Sequence, residues 1–277
     1  VTSIVRAGAD PTNATSVSFT VTFNENVTGV SNGDFTLTTT GVTGTSVSSN
    51  TQVTPSTYTI VVNTGSNSGT IRLDVSDNDS IQDTLGNRLG GTGNGNGNFT
   101  GGEVYTIDKT APSVSSINRA GTNPTNAASV NFTVTFSENV TGVNNGDFTL
   151  NVSGLTGTSI TSTAQVTPST YTVAVNTGSG EGTVRLDFVD NNSVIDTAGN
   201  ATAAGFTSGQ SYTIDRTGPA VSSINRLDSD PTNAATVNFQ VTFDENATGV
   251  DAADFAVTMG GSVTGATVGT VTQNTAS

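Results

Sequence analysis

A long internal repeat constrains this sequence more than any other feature. The segment 11–37, PTNATSVSFTVTFNENVTGVSNGDFTL, returns at 124–150 as PTNAASVNFTVTFSENVTGVNNGDFTL and at 231–257 as PTNAATVNFQVTFDENATGVDAADFAV. The spacing is 113 residues and then 107. Self-similarity of this kind indicates a tandem array of structural units.

The unequal spacing and the boundaries have local explanations. Residues 86–102, GNRLGGTGNGNGNFTGG, stand where the next repeat has GNATAAGFTSG at 199–209. A surface loop tolerates such a six-residue difference at little cost in free energy. The linker YTIDKTAPSVSSINR (105–119) recurs as YTIDRTGPAVSSINR (212–226). We predict repeat 1 at 1–108, repeat 2 at 109–216 and repeat 3 at 217–277. The third is expected to lack its C-terminal strands, as in a stretch of a longer array.

Within a repeat, apolar residues alternate with polar ones. In repeat 2 the alternation runs through 130–136 and recurs in 148–150, 171–175, 184–188 and 212–214. A period of two is typical of half-buried strands, and Gly, Asn and Pro cluster between the runs at turn positions. About seven short strands in roughly a hundred residues predict an all-β fold of immunoglobulin-like β-sandwiches arranged end to end. We expect Phe132, Val134, Phe136, Tyr171 and Leu186 to be buried.

Composition excludes several functions. The sequence has no Cys, His or Trp, so thiol nucleophiles, Ser–His–Asp triads and His-ligated zinc are absent, and we predict that it is not an enzyme. Its net charge is −14, which disfavours nucleic acid and anionic membranes as partners. No apolar run is long enough to insert into a membrane. Lys109 is the only lysine, which excludes a Lys–Asn isopeptide bond in every repeat.

Three motifs carry a family resemblance. They are FSENVTGV (136–143), D-x-x-G-N (196–200) and the linker Y-T-I-D-[KR]-T-[AG]-P. Together they resemble the bacterial immunoglobulin-like repeats of giant surface adhesins and biofilm-associated proteins, over the whole chain and most specifically at the linker. The resemblance implies a secreted or surface-anchored array, commonly stiffened by Ca²⁺ at the domain junctions. The Gly/Asn-rich insertion of repeat 1 is the one departure.

The acidic residues suggest where a cation would bind. In a sandwich whose strands alternate in direction, the loops after the second, fourth and sixth strands lie at one end, beside the preceding linker. Oxygen ligands without His or Cys suit Ca²⁺, although Asp and Asn are also ordinary turn residues. The predicted ligands in repeat 2 are Asp108, Glu138, Asp147, Asp190, Asn192, Asp196 and Asn200. Their counterparts are Glu25, Asp34, Asp77, Asp79, Asp83 and Asn87 in repeat 1, and Asp215, Glu245 and Asp254 in repeat 3.

Other charged and Gly-rich positions receive simpler interpretations. Asp74 and Asp187 are opposite in phase to core leucines and are expected to face solvent, while Arg72 and Arg185 are expected to form surface ion pairs. The segment GGTGNGNGNF (90–99) is not followed by a helix or a Lys, so we predict a flexible loop and not a phosphate site.

These inferences favour one function and leave two alternatives. The leading prediction is a structural spacer in an extracellular, cell-surface adhesin, whose partners are the neighbouring repeats. The first alternative is a subunit of a self-assembling filament or sheath, in which like chains complete repeat 3 by donating strands. The second is an accessory module of a carbohydrate-active enzyme, which the lack of Trp and the presence of only four Tyr disfavour.

Overall fold

The computed structural model describes residues 1–274, and its regular secondary structure is almost entirely β-strand. It forms two compact units, Val1–Asp215 and a second that begins at Arg216. The first unit contains two separate hydrophobic cores, one within residues 4–107 and the other within 114–214. Among the described residues, no helix is long and apolar enough to cross a membrane.

The strands of the two complete repeats correspond one to one. Those of repeat 1 are β1 (Ser3–Arg6), β2 (Ser16–Thr22), β3 (Val27–Thr28), β4 (Phe35–Thr40), β5 (Ser46–Thr54), β6 (Thr57–Asn63), β7 (Gly69–Val75), β8 (Gln82–Asp83) and β9 (Val104–Ile107). Those of repeat 2 are β10 (Val114–Arg119), β11 (Ser129–Phe136), β12 (Val140–Thr141), β13 (Phe148–Thr156), β14 (Ser159–Thr167), β15 (Thr170–Asn176), β16 (Ser179–Phe188), β17 (Ile195–Asp196) and β18 (Ser211–Ile214).

Each repeat is a sandwich of a four-stranded and a three-stranded sheet. In repeat 2 the orders are β10-β11-β15-β14 and β13-β16-β18, and in repeat 1 they are β1-β2-β6-β5 and β4-β7-β9. All the pairings between these strands are antiparallel. Seven strands in this order are the constant-type immunoglobulin arrangement, so the predicted all-β, immunoglobulin-like sandwich is confirmed.

The core follows the period-two alternation. Phe132, Val134 and Leu186 are fully buried, and Phe136 and Tyr171 are 3% and 5% exposed, as predicted. The Phe136 ring packs edge-on against Tyr171, with centroids 5.8 Å apart. Tyr171 also donates its hydroxyl to the Val140 carbonyl (2.9 Å), so its polar end is satisfied inside the core.

The prediction that Asp74 and Asp187 face solvent is wrong. Their exposed fractions are only 5% and 8%. Arg72 and Arg185, two residues earlier on the same strand face, each donate Nε–H to the following carboxylate at 2.7 Å. Thr38 adds a hydroxyl donor to Asp74 (2.6 Å). The predicted arginine ion pairs are therefore confirmed, and the arginine stem that lies over each carboxylate explains its burial.

Sequence periodicity failed to locate β5 and β14, which lie at the edge of the four-stranded sheets. These strands are rich in Ser and Thr, and most of their residues are exposed. An edge strand pairs on one side only and packs little apolar surface, so the hydrophobic alternation is weak there.

The second unit contains β19 (Val221–Arg226) and β20 (Phe239–Phe243), which pair in antiparallel fashion, and a short 3₁₀ helix at Ala252–Asp254. Several of its apolar side chains are exposed, including Ile224 at 59% and Phe239 at 58%.

The enclosed Phe136 ring provides a direct test of the core. We expect Phe136→Ala to lower the free energy of unfolding of repeat 2 by about 3–5 kcal/mol, because it removes a large buried ring and leaves a cavity. Val166→Ala is the matched control, since Val166 is 64% exposed on the edge strand and should change stability by less than about 0.5 kcal/mol. Urea denaturation followed by tyrosine fluorescence measures both, and equal effects would contradict the core assignment.

Candidate metal centre at the junction of repeats 1 and 2

Each sandwich has a lower end, where the linker to the next repeat leaves, and an upper end, where the preceding linker arrives. The lower end of repeat 1 is organised around the last residues of β9. The segment before β2 runs beside β9, with Thr12 in a parallel bridge to Ile107. Thr12 donates its N–H to the Thr106 carbonyl (3.1 Å) and accepts from the Asp108 N–H (3.0 Å). Asp108 Oδ1 accepts from the Thr110 N–H (3.0 Å) and the Ser68 hydroxyl (3.2 Å). These bonds fix Asp108 at the exit of the sandwich.

The upper end of repeat 2 consists of loops that are joined to one another by backbone hydrogen bonds. The 137–147 loop contains β12 and the 189–210 loop contains β17, and these two short strands pair. The Val140 N–H also donates to the Pro168 carbonyl (2.9 Å), in the turn after β14. The loops after the second, fourth and sixth strands therefore lie together, as predicted.

Three carboxylates converge where these two ends meet. Asp108 comes from the linker, Glu138 from the 137–147 loop and Asp196 from β17. One carboxylate oxygen of each lies within 4.8 Å of the others. Such a set matches the oxygen chemistry of Ca²⁺, which also accepts backbone carbonyls and water to reach six to eight ligands.

Asp196 is oriented by a tight turn. Its Oδ1 accepts the N–H groups of Ala198 and Asn200, both at 2.8 Å, and its Oδ2 accepts Asn200 Nδ2–H at 2.8 Å. Asn200 Nδ2 also donates to the Asp108 carbonyl (2.9 Å). Asn200 therefore spans the junction as a hydrogen-bond donor through its Nδ2, which leaves its Oδ1 as the atom that the predicted ligand role would use.

The electrostatics of the three carboxylates are unfavourable without a cation. Desolvation raises the pKa of Glu138 above its ordinary value of 4.5, and the negative charges of Asp196 and Asp108 raise it further. Two charges 4.8 Å apart repel by about 1 kcal/mol in water and about 3 kcal/mol at an effective dielectric constant of 20. A divalent cation would remove this repulsion.

A main-chain contact that sequence reasoning missed also joins the repeats. Asn13 donates its N–H to the Ala198 carbonyl (3.1 Å). Within repeat 2, Ser137 donates its N–H to the Ser113 carbonyl (2.8 Å) and its Oγ accepts the Ser113 N–H (3.0 Å), which continues the pairing of β10 with β11 into the 137–147 loop. Only the recurrence of Asn13 in the repeated PTNA segment signalled the contact between repeats, and that pattern alone does not distinguish a contact from a turn.

Asp147 is not part of the three-carboxylate group. It is fully buried, and its side chain accepts the Asn144 N–H (2.7 Å), Asn191 Nδ2–H (2.8 Å) and the Ser193 hydroxyl. In repeat 1, Asp34 is likewise fully buried and accepts the N–H of Ser31 at 2.6 Å. Both aspartates therefore have a structural explanation that needs no ion.

Asp190 and Asn192 lie on the 189–210 loop but outside the group. Asp190 Oδ1 accepts the Thr202 hydroxyl (2.9 Å) and the Asn192 N–H (3.2 Å). Asn192 is exposed and adopts a left-handed backbone with φ of 61°. These contacts are those of turn residues.

Apart from Asp34, the predicted ligands of repeat 1 divide into two sets. Asp77 and Asp79 anchor the Gly/Asn-rich insertion, because Asp77 Oδ2 accepts the Gly97 N–H (3.1 Å) and both oxygens of Asp79 accept the Gly93 N–H (3.1 Å). The second set, Glu25, Asp83 and Asn87, occupies the positions equivalent to Glu138, Asp196 and Asn200. Glu25 and Asn87 are exposed.

The remaining predicted ligands belong to different units. Asp215 ends the first unit and donates its N–H to the Thr125 carbonyl (3.1 Å), as Asp108 does to Thr12. Glu245 and Asp254 are in the second unit, where Asp254 Oδ2 accepts the Asp251 N–H (2.8 Å). Asp254 thus repeats the capping geometry of Asp147.

Comparison with known proteins identifies no family for this chain. No protein-family model matches the sequence, and comparison with curated proteins finds no match. The fold is similar to that of FdeC, an Escherichia coli adhesin, with 15% identity over 90% of this chain and 76% of that chain and a TM-score of 0.41. InvD of Yersinia pseudotuberculosis is similar with 18% identity over 88% and 69% of the two chains and a TM-score of 0.35. At these levels the similarity carries no functional argument.

The raised pKa of Glu138 predicts how pH affects the junction without metal. The folded junction binds a proton more tightly than the unfolded chain, so this group favours folding below pH 4.5 and that contribution is lost as pH rises through the raised pKa. We expect Glu138→Gln to abolish this dependence and, in EGTA at neutral pH, to raise the stability of the junction by about 1 kcal/mol.

Thermal unfolding of metal-stripped protein in calcium-free buffers across acidic and neutral pH tests this expectation. Glu25→Gln is the control, because Glu25 has the same sequence context but no linker carboxylate beside it among the described residues. A destabilised Glu138→Gln variant in EGTA would contradict the assigned repulsion.

Proposed function

We propose that the chain is a run of spacer repeats in an extracellular bacterial adhesin-type protein, and that Ca²⁺ stiffens it at the junction of repeats 1 and 2. The observation that carries the proposal is the convergence of Asp108, from one sandwich, with Glu138 and Asp196, from the next. Residues that bind one ion from two sandwiches make the angle between those sandwiches depend on the ion.

The chemistry of the group favours calcium over softer metals. All three side chains are carboxylates, and the sequence offers no thiolate or imidazole. Ca²⁺ tolerates irregular oxygen shells, whereas Mg²⁺ requires near-ideal octahedral geometry and gives up its water reluctantly. Asp196 already has its carboxylate oriented by the turn at 196–200.

The proposed role is mechanical. Bonds such as Asn13 to Ala198 and Asn200 to Asp108 keep the two ends in contact. Without the ion, the repulsion among three carboxylates opposes that contact and favours bending. With the ion, the same carboxylates pull the sandwiches together. The absence of His, Cys and Trp supports a spacer over an enzyme.

Calcium removal is the primary test. We expect Ca²⁺ at a hundredfold excess over its Kd to stabilise the folded junction by about 2.7 kcal/mol, so EGTA should lower the melting temperature. Small-angle scattering should show a broader distribution of interdomain angles in EGTA. Asp108→Asn should reproduce part of both changes, since asparagine keeps the Oδ1 acceptor for Thr110 and Ser68 but removes the charge.

Glu25→Gln is the matched control and should leave the calcium response unchanged. Identical melting and scattering curves with Ca²⁺ and with EGTA would show that the three acids are ordinary loop and turn residues that bind no ion.

A second candidate, the filament subunit, has one observation in its favour. Val221, Ile224 and Phe239 are 50%, 59% and 58% exposed, whereas the equivalent residues of repeat 2 are buried core. Strands donated by like chains would cover these residues and pair with β20 as β15 pairs with β11.

Sedimentation velocity distinguishes the two candidates. The filament proposal expects assemblies that grow with protein concentration and that Phe239→Asp abolishes, because a charge on the apolar face opposes strand docking. The spacer proposal expects a monomer at every concentration. A monomer that is unaffected by Phe239→Asp would exclude donor-strand assembly.

A further inference from the structure

The upper end of repeat 1 carries a turn that copies the one at the junction. Residues 83–87, DTLGN, correspond to 196–200, DTAGN. Asp83 Oδ1 accepts the N–H groups of Leu85 (2.7 Å) and Asn87 (2.8 Å), and its Oδ2 accepts Asn87 Nδ2–H (2.7 Å). The three equivalent bonds in repeat 2 each measure 2.8 Å. The turn is therefore fully formed in repeat 1.

In repeat 2 the turn at 196–200 is a docking surface, and the structure contains the segment that docks on it. The lower end of repeat 1 covers it, with the Asn13 N–H on the Ala198 carbonyl and the Asp108 carbonyl on Asn200 Nδ2. Ala198 is 8% exposed. A Cβ atom placed on Gly199 would lie 3.5 Å from the Asn13 side chain.

In repeat 1 the same surface is open. Leu85, in the position of Ala198, is 86% exposed, the highest value for a large apolar side chain among residues 1–274. A Cβ atom placed on Gly86 would meet no atom of the described chain within 4 Å. A leucine in this position presents apolar area that a contacting domain would remove from water.

A small hollow beside the turn indicates the chemistry of the partner. Its volume is about 130 Å³, and its lining includes Glu25, Asp83, Asn87 and Arg88. Arg88 stands where repeat 2 has Ala201, and its side chain is 46% exposed although it pairs with Asp79 at 3.1 Å. Glu25 and Asp83 are the counterparts of Glu138 and Asp196, so the carboxylate of an arriving linker aspartate would complete the same three-carboxylate group beside Arg88.

We propose that the 83–88 surface of repeat 1 docks the linker end of another sandwich of this repeat type, joined ahead of Val1 by a T-I-D linker. The partner chemistry is that of the lower end of repeat 1: a backbone N–H for the Leu85 carbonyl, a linker carbonyl for Asn87 Nδ2 and a carboxylate for the hollow. This inference rests on the proposed spacer function and adds a specific interface to it.

The absence of cysteine makes the test direct, since one introduced thiol is unique. A second copy of residues 1–113 is fused ahead of Val1 of the full chain, which keeps the natural spacing because Val114 aligns with Val1. Leu85→Cys is placed either in the inner copy, which the added sandwich should cover, or in the outer copy, which remains open. Reaction with Ellman's reagent then reports exposure.

We expect the inner thiol to react at least about tenfold more slowly than the outer one, because only the undocked fraction is accessible. Ala198→Cys in the unfused chain provides the reference for a covered position. Equal rates for the inner and outer thiols would overturn the proposal. Protection of the unfused Leu85→Cys chain that increases with protein concentration would also overturn it, by assigning the surface to contacts between separate molecules.

Different outcomes of this experiment contradict the docking proposal and the proposed spacer function. If the Ala198→Cys thiol is protected in Ca²⁺ and the inner thiol is not, the docking surface is wrong and the junction of repeats 1 and 2 stands. If the Ala198→Cys thiol also reacts at the rate of the outer thiol, the junction itself is not rigid and the spacer mechanism fails with it.

Discussion

A buried carboxylate at the upper end of each complete sandwich holds the loops on which the junction is built. Asp147 joins the 137–147 loop, through Asn144, to the 189–210 loop, through Asn191 and Ser193. A fully buried charge is tolerated only when hydrogen bonds compensate its lost hydration, so these donors cannot move away without a large penalty. Glu138 and Asp196 lie on the same two loops, and their separation therefore depends on this buried group.

Much of the fold was accessible from the sequence, for an identifiable reason. Strands such as β11 and β15 bury one face, and burial imposes the alternation that the sequence displays. The edge strand β14 buries little, so nothing in its composition fixed its position. Asp187 shows the opposite failure: its strand phase was assigned correctly, but Arg185 covers it and makes an outward residue buried.

The site was predictable at the level of topology but not of geometry. Alternating strand direction was enough to bring Asp108, Glu138 and Asp196 to one place. It did not separate them from Asp147 and Asp190, which recur in the same loops. The difference arises from donors such as Ser193 and Thr202, whose hydroxyls occupy those carboxylates. The sequence does not identify these hydroxyl donors, because the chain is rich in Ser and Thr and any of them could donate to a carboxylate.

The irregular edge strands affect how readily two copies of the chain could pair edge to edge. The pairing of β14 with β15 shifts register between Ile160 and Ser162 and again between Gln165 and Thr167, and β5 is interrupted at the corresponding places. A neighbouring chain that approached this edge would find no uninterrupted row of backbone donors and acceptors, because each bulge turns the strand and leaves one residue unpaired. Copies of the chain that came close together would therefore have little tendency to join edge to edge into a continuous sheet, even though the exposed edge is uncharged and carries Val166.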